Sequence, residues 1–495
     1  MDTQLARQLK AWNPWWQEGP AGIKHFGVPG FKRDLYGLIS SSYMRRNQGV
    51  SIVGMRQVGK TTIMHQCIKD LLEKGVSPKH IFFVSFEDSY LQARYNPKTL
   101  FHDVITTYAD AILREDIAHA NAELYFFFDE IHRLPLWAQS VKTYFDQHAP
   151  IAFMVSGSAS FGMQATKGDS LLGRMNEFTL YPFSFQEAVS YWEQYEGGKA
   201  KELSSRMRDI LATCQSAGVE YFSQGKLALL YEAIAPAFTD ASVWHGQQFR
   251  EYLRRYALEG GFPRVWQQED EYSKHRHIIE QHLQKVIRED LPQIAKIRKV
   301  SSLEALYIGL LDRAGEETVL KRLSEETAIS AFTLEQYIGY LKKTFLLFPV
   351  ERTKTKNILR QRRSSRVKFY PLDAAVRAAV LKNREDVFEN PEEMGVYAEN
   401  LVASALWRKI AGRAGNGIRY YREGNRYEVD FIIKDADSIL PVEVKWRENI
   451  PSLPSLDRLC DKWGLSESVL VTRDRELTYK NGRLSIPLWF FLLLF

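Results

Sequence analysis

The stretch "SIVGMRQVGKTTIMHQCIKDLL", Ser51 to Leu72, reads as a strand, a glycine loop and a helix. Gly54, Gly59, Lys60 and Thr61 fit the spacing G-x-x-x-x-G-K-[ST]. Glycines let the backbone wrap a polyphosphate with its N–H groups. The lysine brings a point charge to the β- and γ-phosphates, and the threonine offers a hydroxyl to magnesium. The spacing therefore predicts ATP and Mg2+ as cofactors. The loop that holds them runs through Gly54, Met55, Arg56, Gln57, Val58, Gly59, Lys60, Thr61 and Thr62. Ser51, Ile52 and Val53 make a buried strand before it, and Ile63, Cys67, Ile68, Leu71 and Leu72 keep helical spacing after it.

Moving outward, "ELYFFFDEIHRL" is an apolar run, Leu124 to Phe128, that ends in Asp129 and Glu130. A parallel strand buried on both faces has this pattern, and ligands of α/β sheets bind at strand C-termini. Asp129 is expected to hold the magnesium through water, and Glu130 to polarise the attacking water. A third apolar run, "IAFMVSGSAS", ends in Ser156, Gly157 and Ser158, with Ser156 favoured to contact the γ-phosphate or the water. "HIFFVSFED" adds a strand between the loop and the Asp-Glu strand in the chain. The pattern is that of an additional-strand P-loop ATPase core with alternating β and α elements.

The ordered segments "GMRQVGKTT", "FFFDEIH", "VSGSAS", "LLGRMNEFTLYPFSFQEA" and "EGGFPRVW" resemble prokaryotic AAA-type ATPases that carry a C-terminal DUF4143 region, within the wider AAA+/STAND group. That resemblance makes Arg174 of "LLGR" a candidate arginine finger or sensor, in cis or across a subunit interface. The alternative is a helix-terminal arginine paired with Glu177 or Asp169. "GGFP" resembles the element that brings a helical lid near the adenine, which assigns Gly261 and Pro263 to the nucleotide. A plain helix-ending turn is the competing reading. The likeness of "DEIH" to a helicase motif is discounted, because no second helicase motif follows.

A chain of 495 residues, 45% hydrophobic and 25% charged, has room for several cores. A net charge of +6 permits nucleic-acid contact without requiring it. Cys67, Cys214 and Cys460 lack the spacing of a zinc knuckle or a disulfide framework, so a reducing cytoplasm is expected. The N-terminus has no signal pattern. The apolar "IPLWFFLLLF" is about half the length of a bilayer span, so it is expected to be a buried last strand, with no membrane partner.

The expected organisation is an ATPase core with an N-terminal extension over 1–190 and a helical lid or connector over 191–290. A winged-helix-like module over 291–352 and a DUF4143 domain over 353–495 follow. "KLALLYEAIAPAF" and "FREYLRRYALEG" carry the lid's helical spacing. His275 and His277 fall on different helix faces, which argues against a metal pair. "ETVLKRLSEETAISAFTLEQYIGYLKKTFLLFPVERT" reads as helix, turn, helix and strand. A winged helix of this kind either sets its second helix in DNA or serves as a packing module. The basic stretch 354–368 holds Lys354, Lys356, Arg360, Arg362, Arg363, Arg366 and Lys368. Exposed, it neutralises phosphates; otherwise it is a solvated hairpin paired with acids.

Near the C-terminus, "YEVD" is followed by "VEVKW", so Asp430 precedes Glu443 and Lys445 on a second strand. Glu443 and Lys445 point to one side of that strand. The pattern is the PD-(D/E)xK signature, in which Asp430 and Glu443 share a divalent ion and Lys445 positions water or steadies phosphate charge. Glu399, on the polar side of an upstream helix, is the candidate third acid. The bland alternative is the charged face of an edge strand. The DUF4143 resemblance points toward the same nuclease fold.

The predicted fold class is thus α/β: an additional-strand P-loop core, a helical lid, a winged helix and a PD-(D/E)xK-like domain. The predicted function is magnesium-dependent ATP hydrolysis coupled to binding or cleavage of nucleic acid, DNA first. The DNA contacts fall to the winged helix, the basic stretch and the C-terminal domain. The alternatives are a STAND-like ATP-gated switch and a DNA-binding regulator, both without nuclease activity. An arginine acting in trans requires a homo-oligomer.

Overall fold

The computed structural model describes every residue except 1, 44–47, 158–170, 172, 196–199, 223, 225, 296, 359–363, 383–384, 411–415, 436–437, 448, 451 and 475. The chain divides into two compact units, Met1–Tyr181 and Pro182–Phe495.

In the first unit the strands β1 (Gly49–Gly54), β2 (Ile81–Ser85), β3 (Leu124–Asp129), β4 (Ile151–Gly157) and β5 (Met175–Leu180) lie in the order β2-β3-β4-β1-β5. All four pairings are parallel. Their apolar runs are buried, and Ile52, Phe82, Phe126 and Met154 expose no surface. The strand that separates β1 from β3 is β4. The "HIFFVSFED" strand, β2, instead flanks β3 at the sheet edge, because order along the chain does not set order across a sheet. Gly54, Ser85, Asp129 and Gly157 end their strands on one edge of the sheet.

An edge strand leaves backbone groups unpaired. The N-terminal segment covers those of β2. The buried Asn13 side chain accepts from Phe83 N–H at 2.7 Å and donates to Phe83 O at 2.8 Å, so one amide acts as a one-residue strand. The indole N–H groups of Trp15 and Trp16 both reach Ile81 O, at 3.0 and 2.8 Å.

The second unit begins with helices Phe185–Tyr195, Ser205–Ala217 and Leu227–Glu259. Then come helix Val300–Asp312, β6 (Thr318–Val319), helices Leu320–Thr327 and Ala331–Lys343, β7 (Leu347–Thr353) and β8 (Arg366–Pro371). The strands β9 (Gly417–Glu423), β10 (Tyr427–Asp435), β11 (Ser438–Lys445), β12 (Ser468–Thr472), β13 (Thr478–Lys480) and β14 (Arg483–Pro487) complete the set. All nine form one mixed sheet, β13-β14-β12-β11-β10-β9-β7-β8-β6. Parallel pairing of β7 with β9, Glu351 opposite Arg419, carries this sheet across the boundary expected between 352 and 353.

The structure excludes one alternative and corrects one expectation. β11 lies between β10 and β12, so "VEVKW" belongs to an interior strand and not to an edge. The last apolar stretch is not a strand: β14 ends at Pro487, and Leu488–Leu492 is a buried helix whose Trp489 stacks on Phe249 at 5.1 Å. Short apolar runs read alike as buried strand and buried helix. No helix among the described residues is long and apolar enough to cross a membrane.

Candidate functional site

The sheet's first unit builds one cluster from the end of β1. A Cβ on Gly54 would lie 2.1 Å from Leu180 O, so only glycine lets β1 close on β5 there. Gln57 (φ 61°) and Gly59 (φ 100°) adopt left-handed backbone, which turns the loop before helix Lys60–Glu73 starts. Lys60 Nζ lies 2.9 Å from Met55 O and 3.3 Å from Gly54 O, inside the loop's curve. Val58 O accepts from Arg33 at 2.9 Å, and the same guanidinium donates to Tyr181 O at 3.0 Å. Sequence reading missed Arg33, because nothing in a linear motif reaches back twenty-five residues.

Asp129 and Glu130 complete the cluster from the end of β3. Thr61 Oγ1 donates to Asp129 Oδ2 at 2.8 Å. The Ser156 hydroxyl donates to the other Asp129 oxygen and accepts from Glu130 N–H at 3.1 Å. Glu130 itself has φ 52° and lies 3.8 Å from Lys60 and 3.2 Å from His132 Nδ1. Burial, then the charge of Glu130, pushes Asp129 up to about 6. Burial lowers His132 to about 4 against the pull of Glu130, so its imidazole is neutral at pH 7. A hydroxyl and a carboxylate beside a lysine are hard oxygen donors of the kind magnesium takes.

Arg174, a further sequence candidate, does not join this cluster within the first unit. Arg174 stands at the N-terminal end of β5, where its carbonyl accepts from Gly49 N–H at 2.8 Å. Since β1 and β5 are parallel, that is the sheet edge opposite the phosphate loop, roughly 17 Å along the strand. Its guanidinium pairs with Asp146 and not with Glu177. Asp169 and Ser158 lie outside the described residues. Gly261 donates its N–H to Asp373 at 2.9 Å, and a Cβ on it would meet Phe183 O at 2.3 Å. Gly260 ends helix Leu227–Glu259 at φ 67°, and Pro263 opens helix Pro263–Trp266. These contacts are those of a packed helix-ending turn.

The second unit brings Asp430, Glu443 and Lys445 together. β10 and β11 pair antiparallel, Phe431 opposite Val442, which sets Asp430 across from Glu443. Glu443, only 3% exposed, ion-pairs with Lys445 and lies 3.4 Å from the Asp430 N–H. Asp430 accepts from Val444 N–H at 2.8 Å. Burial, then the charge of Asp430, pushes Glu443 up to about 8, and burial with the charge of Glu399 raises Asp430. Burial opposes the charge on Lys445, yet Asp430 and Glu443 outweigh it and raise its pKa.

Glu399 has hydrogen-bond partners of its own. It accepts from Tyr370 OH at 2.6 Å and from Lys368 Nζ at 3.0 Å. Lys368 is 2% exposed and also pairs with Glu428 at 2.7 Å, so it is no exposed phosphate contact. Arg366 pairs with Glu317. Lys354 and Lys356 are exposed, and Arg360, Arg362 and Arg363 lie outside the described residues. Among the described residues no three His, Cys, Asp or Glu side chains are grouped to hold a metal. Glu399, the expected third acid, is near enough for its charge to raise Asp430, while its own hydrogen bonds go to Tyr370 and Lys368. Tyr370 and Glu428, and the burial of Lys368 between Glu399 and Glu428, escaped sequence reading because their meeting depends on the nonlocal pairing of the sheet.

An AAA domain model matches residues 46–189. Two domains of unknown function match downstream, DUF8612 over residues 250–387 and DUF4143 over residues 394–491. No curated protein matches the chain. Among solved structures, the Walker-type ATPase PABY2304 of Pyrococcus abyssi is similar at 12% identity and a TM-score of 0.31, over 71% of this chain and 96% of that one. AMPPCP-bound DnaA from Aquifex aeolicus is similar at 11% identity and a TM-score of 0.25, over 65% and 91%. The S. cerevisiae Hsp104–ADP complex follows at 14% identity and a TM-score of 0.29, over 79% and 58%. At these scores the structural likenesses carry no argument.

Proposed function

We propose that the chain, matched by an AAA domain model over residues 46–189 and by DUF4143 over residues 394–491, is a P-loop ATPase that couples magnesium-dependent ATP hydrolysis to binding or cleavage of DNA. The observation that carries the second half is the meeting of Asp430, Glu443 and Lys445 on two interior strands. Facing carboxylates buried with a lysine cost more in desolvation than an apolar packing of the same volume. Such perturbed clusters mark functional sites.

In the ATPase half, the N–H groups of the loop from Gly54 to Gly59 and the ammonium of Lys60 hold the phosphates. Thr61 and Asp129 would hold magnesium, whose charge offsets that of the β- and γ-phosphates when bound. Glu130 takes the proton of the attacking water. Ser156 fixes both acids, by its hydroxyl bond to Asp129 and by holding the Glu130 backbone. His132, neutral and 3.2 Å away, leaves the negative charge on Glu130 intact.

In the C-terminal half, Asp430 and Glu443 would hold a divalent ion, and Lys445 offsets charge on the scissile phosphate. The element order from helix Val300–Asp312 through the β7–β8 hairpin supports a winged helix, and Lys354 and Lys356 ride its hairpin. Arg174 is at the wrong end of the sheet to act within its own chain, so a finger role for it requires a homo-oligomer. Three free cysteines suit a reducing cytoplasm.

A second reading has its own support. Lys368 and Tyr370 already engage Glu399, which favours an ATP-gated switch or DNA-binding regulator that grips nucleic acid without cutting it. Cleavage of plasmid and single-stranded DNA with magnesium or manganese separates the two. The nuclease reading requires that the native chain cuts and Lys445→Ala does not. Cleavage unchanged by that substitution would remove the assigned site.

A further inference from the structure

Arg33 precedes the loop residue it touches by twenty-five positions, in a segment that is tied down on both sides of it. On one side, Gln66 donates its amide to Pro29 O at 3.0 Å and to Phe31 O at 2.7 Å. On the other, Asp70 accepts from Lys32 Nζ at 2.9 Å and from Tyr36 OH at 2.7 Å. Gln66 and Asp70 are both carried by helix Lys60–Glu73, which begins where the phosphate loop ends. Four residues apart, they lie on one face of it. The helix therefore fixes the segment from Pro29 to Tyr36, and the segment fixes where Arg33 starts.

From there the buried guanidinium spans two backbone carbonyls, Val58 O at 2.9 Å and Tyr181 O at 3.0 Å. Tyr181 directly follows β5, whose last residue, Leu180, pairs with Gly54 at the start of the loop. The end of β5 thus holds the loop at two points, directly at Gly54 and through Arg33 at Val58. Val58 stands between Gln57 and Gly59, the two residues with left-handed backbone. In a planar trans peptide the C=O of one residue and the N–H of the next point in opposite directions. With Val58 O held toward Arg33, the N–H of Gly59 faces away from it. A glycine leaves such a peptide free to rotate, and the bond to Arg33 removes that freedom. Backbone N–H groups of this loop are the ones that cradle phosphate.

Resting on the ATPase assignment, we propose that Arg33 is a positioning residue for nucleotide binding. It touches no phosphate. By holding Val58 O against the end of β5, it keeps the Gly59 N–H turned into the curve that contains Lys60. ATP and ADP both present a β-phosphate to that curve, so the benefit is common to substrate and product. Arg33 therefore acts on how tightly nucleotide is held, whereas Glu130 acts on how fast it is cleaved.

Affinity for ATP and ADP, KM, kcat and urea stability are measured in the full chain and in its Arg33→Met, Arg33→Lys and Asn13→Ala variants. Arg33→Met keeps the side chain's stem and loses both donors. It should weaken ATP and ADP alike by about tenfold, the equivalent of one or two ordinary hydrogen bonds. KM should rise to match, with kcat within about threefold of the native value, because the lost binding is uniform. Arg33→Lys should recover part of the affinity, since an ammonium reaches one carbonyl but lacks the fork that spans two. Asn13→Ala, which loosens the far edge of the same sheet, should lose stability and keep nucleotide affinity within about twofold. ADP affinity within about twofold of native in Arg33→Met would overturn the proposal, as would an equal loss in Asn13→Ala. If Arg33→Met does not fold, Arg33→Lys decides, and native nucleotide affinity in that variant would overturn the proposal. Turnover that is absent from the native chain, or that survives Lys60→Ala, would instead overturn the ATPase premise.

Discussion

Thr61 donates its hydroxyl to Asp129 across 2.8 Å and so ties the first turn of the phosphate-loop helix to the end of β3. The two motifs are sixty-eight residues apart in the chain. Their contact puts Lys60 and Glu130 on either side of one small polar space, 3.8 Å apart.

The first prediction follows from that division of labour. Lys60→Ala removes the ammonium inside the loop's curve and should abolish detectable binding of a fluorescent ATP analogue. Glu130→Gln keeps the shape and loses the base. It should bind ATP within about threefold of the native chain and hydrolyse it about 100-fold or more slowly. Tight ATP binding by the lysine variant would contradict the phosphate assignment.

The second prediction concerns the edge of the ATPase sheet. Asn13→Ala leaves the N–H and C=O of Phe83 unpaired under Trp15 and Trp16. Each unpaired buried group costs about 1–3 kcal/mol, so a loss of about 2–4 kcal/mol is expected in urea unfolding. Amide exchange at Phe83 should quicken relative to Phe126 on β3. Unchanged exchange at Phe83 would mean that the amide does not stand in for a strand.

How much was legible beforehand divides along one physical line. The phosphate loop, Asp129, Glu130 and Ser156 follow from short motifs whose backbone geometry is local. The position of β4 between β1 and β3 does not, since strand order is a nonlocal choice. Lys368 shows the same limit: as one of seven basic residues in fifteen it reads as solvated, and only the β8 and β10 contacts reveal it as buried. Leu488–Leu492 was unreadable for another reason, because every position is apolar and no period survives.

A third prediction uses pH. His65 packs between Phe26 and Phe83, with ring centroids at 4.2 and 4.8 Å, and its Nε2 has no hydrogen-bond partner among the described residues. Burial lowers its pKa to about 4 from an ordinary value of 6.5. Above pH 6.5 the ring is neutral in both folded and unfolded chains, so its full contribution to stability is present. As pH falls, the unfolded chain takes up the proton first, and stability is lost progressively until about pH 4. The loss amounts to about 3 kcal/mol. His65→Phe should flatten the stability profile of the first unit between pH 6.5 and 4. An equally steep acid loss in that variant would place the responsible group elsewhere.

The last prediction turns on Lys368, whose ammonium is shared by Glu399 at 3.0 Å and Glu428 at 2.7 Å. If the basic stretch acted as a uniform exposed patch, Lys368→Met would change stability by less than about 0.5 kcal/mol. The buried pairing demands more. Removing the cation leaves Glu399 to Tyr370 and Glu428 to Arg422 without their shared buried ammonium, a loss expected to cost about 3 kcal/mol. Converting Glu399 to Gln in the same chain removes one of those charges, so the double variant should be more stable than Lys368→Met alone by at least about 1 kcal/mol. Urea unfolding of the native chain, both single variants and the double variant gives that coupling energy directly. DNA affinity adds an independent check. Lys354→Ala and Lys356→Ala, both exposed, should weaken binding and reduce its salt dependence, whereas a folded Lys368→Met chain should keep the native salt slope. A reduced slope in Lys368→Met would mean that its ammonium leaves Glu399 and Glu428 to reach phosphate.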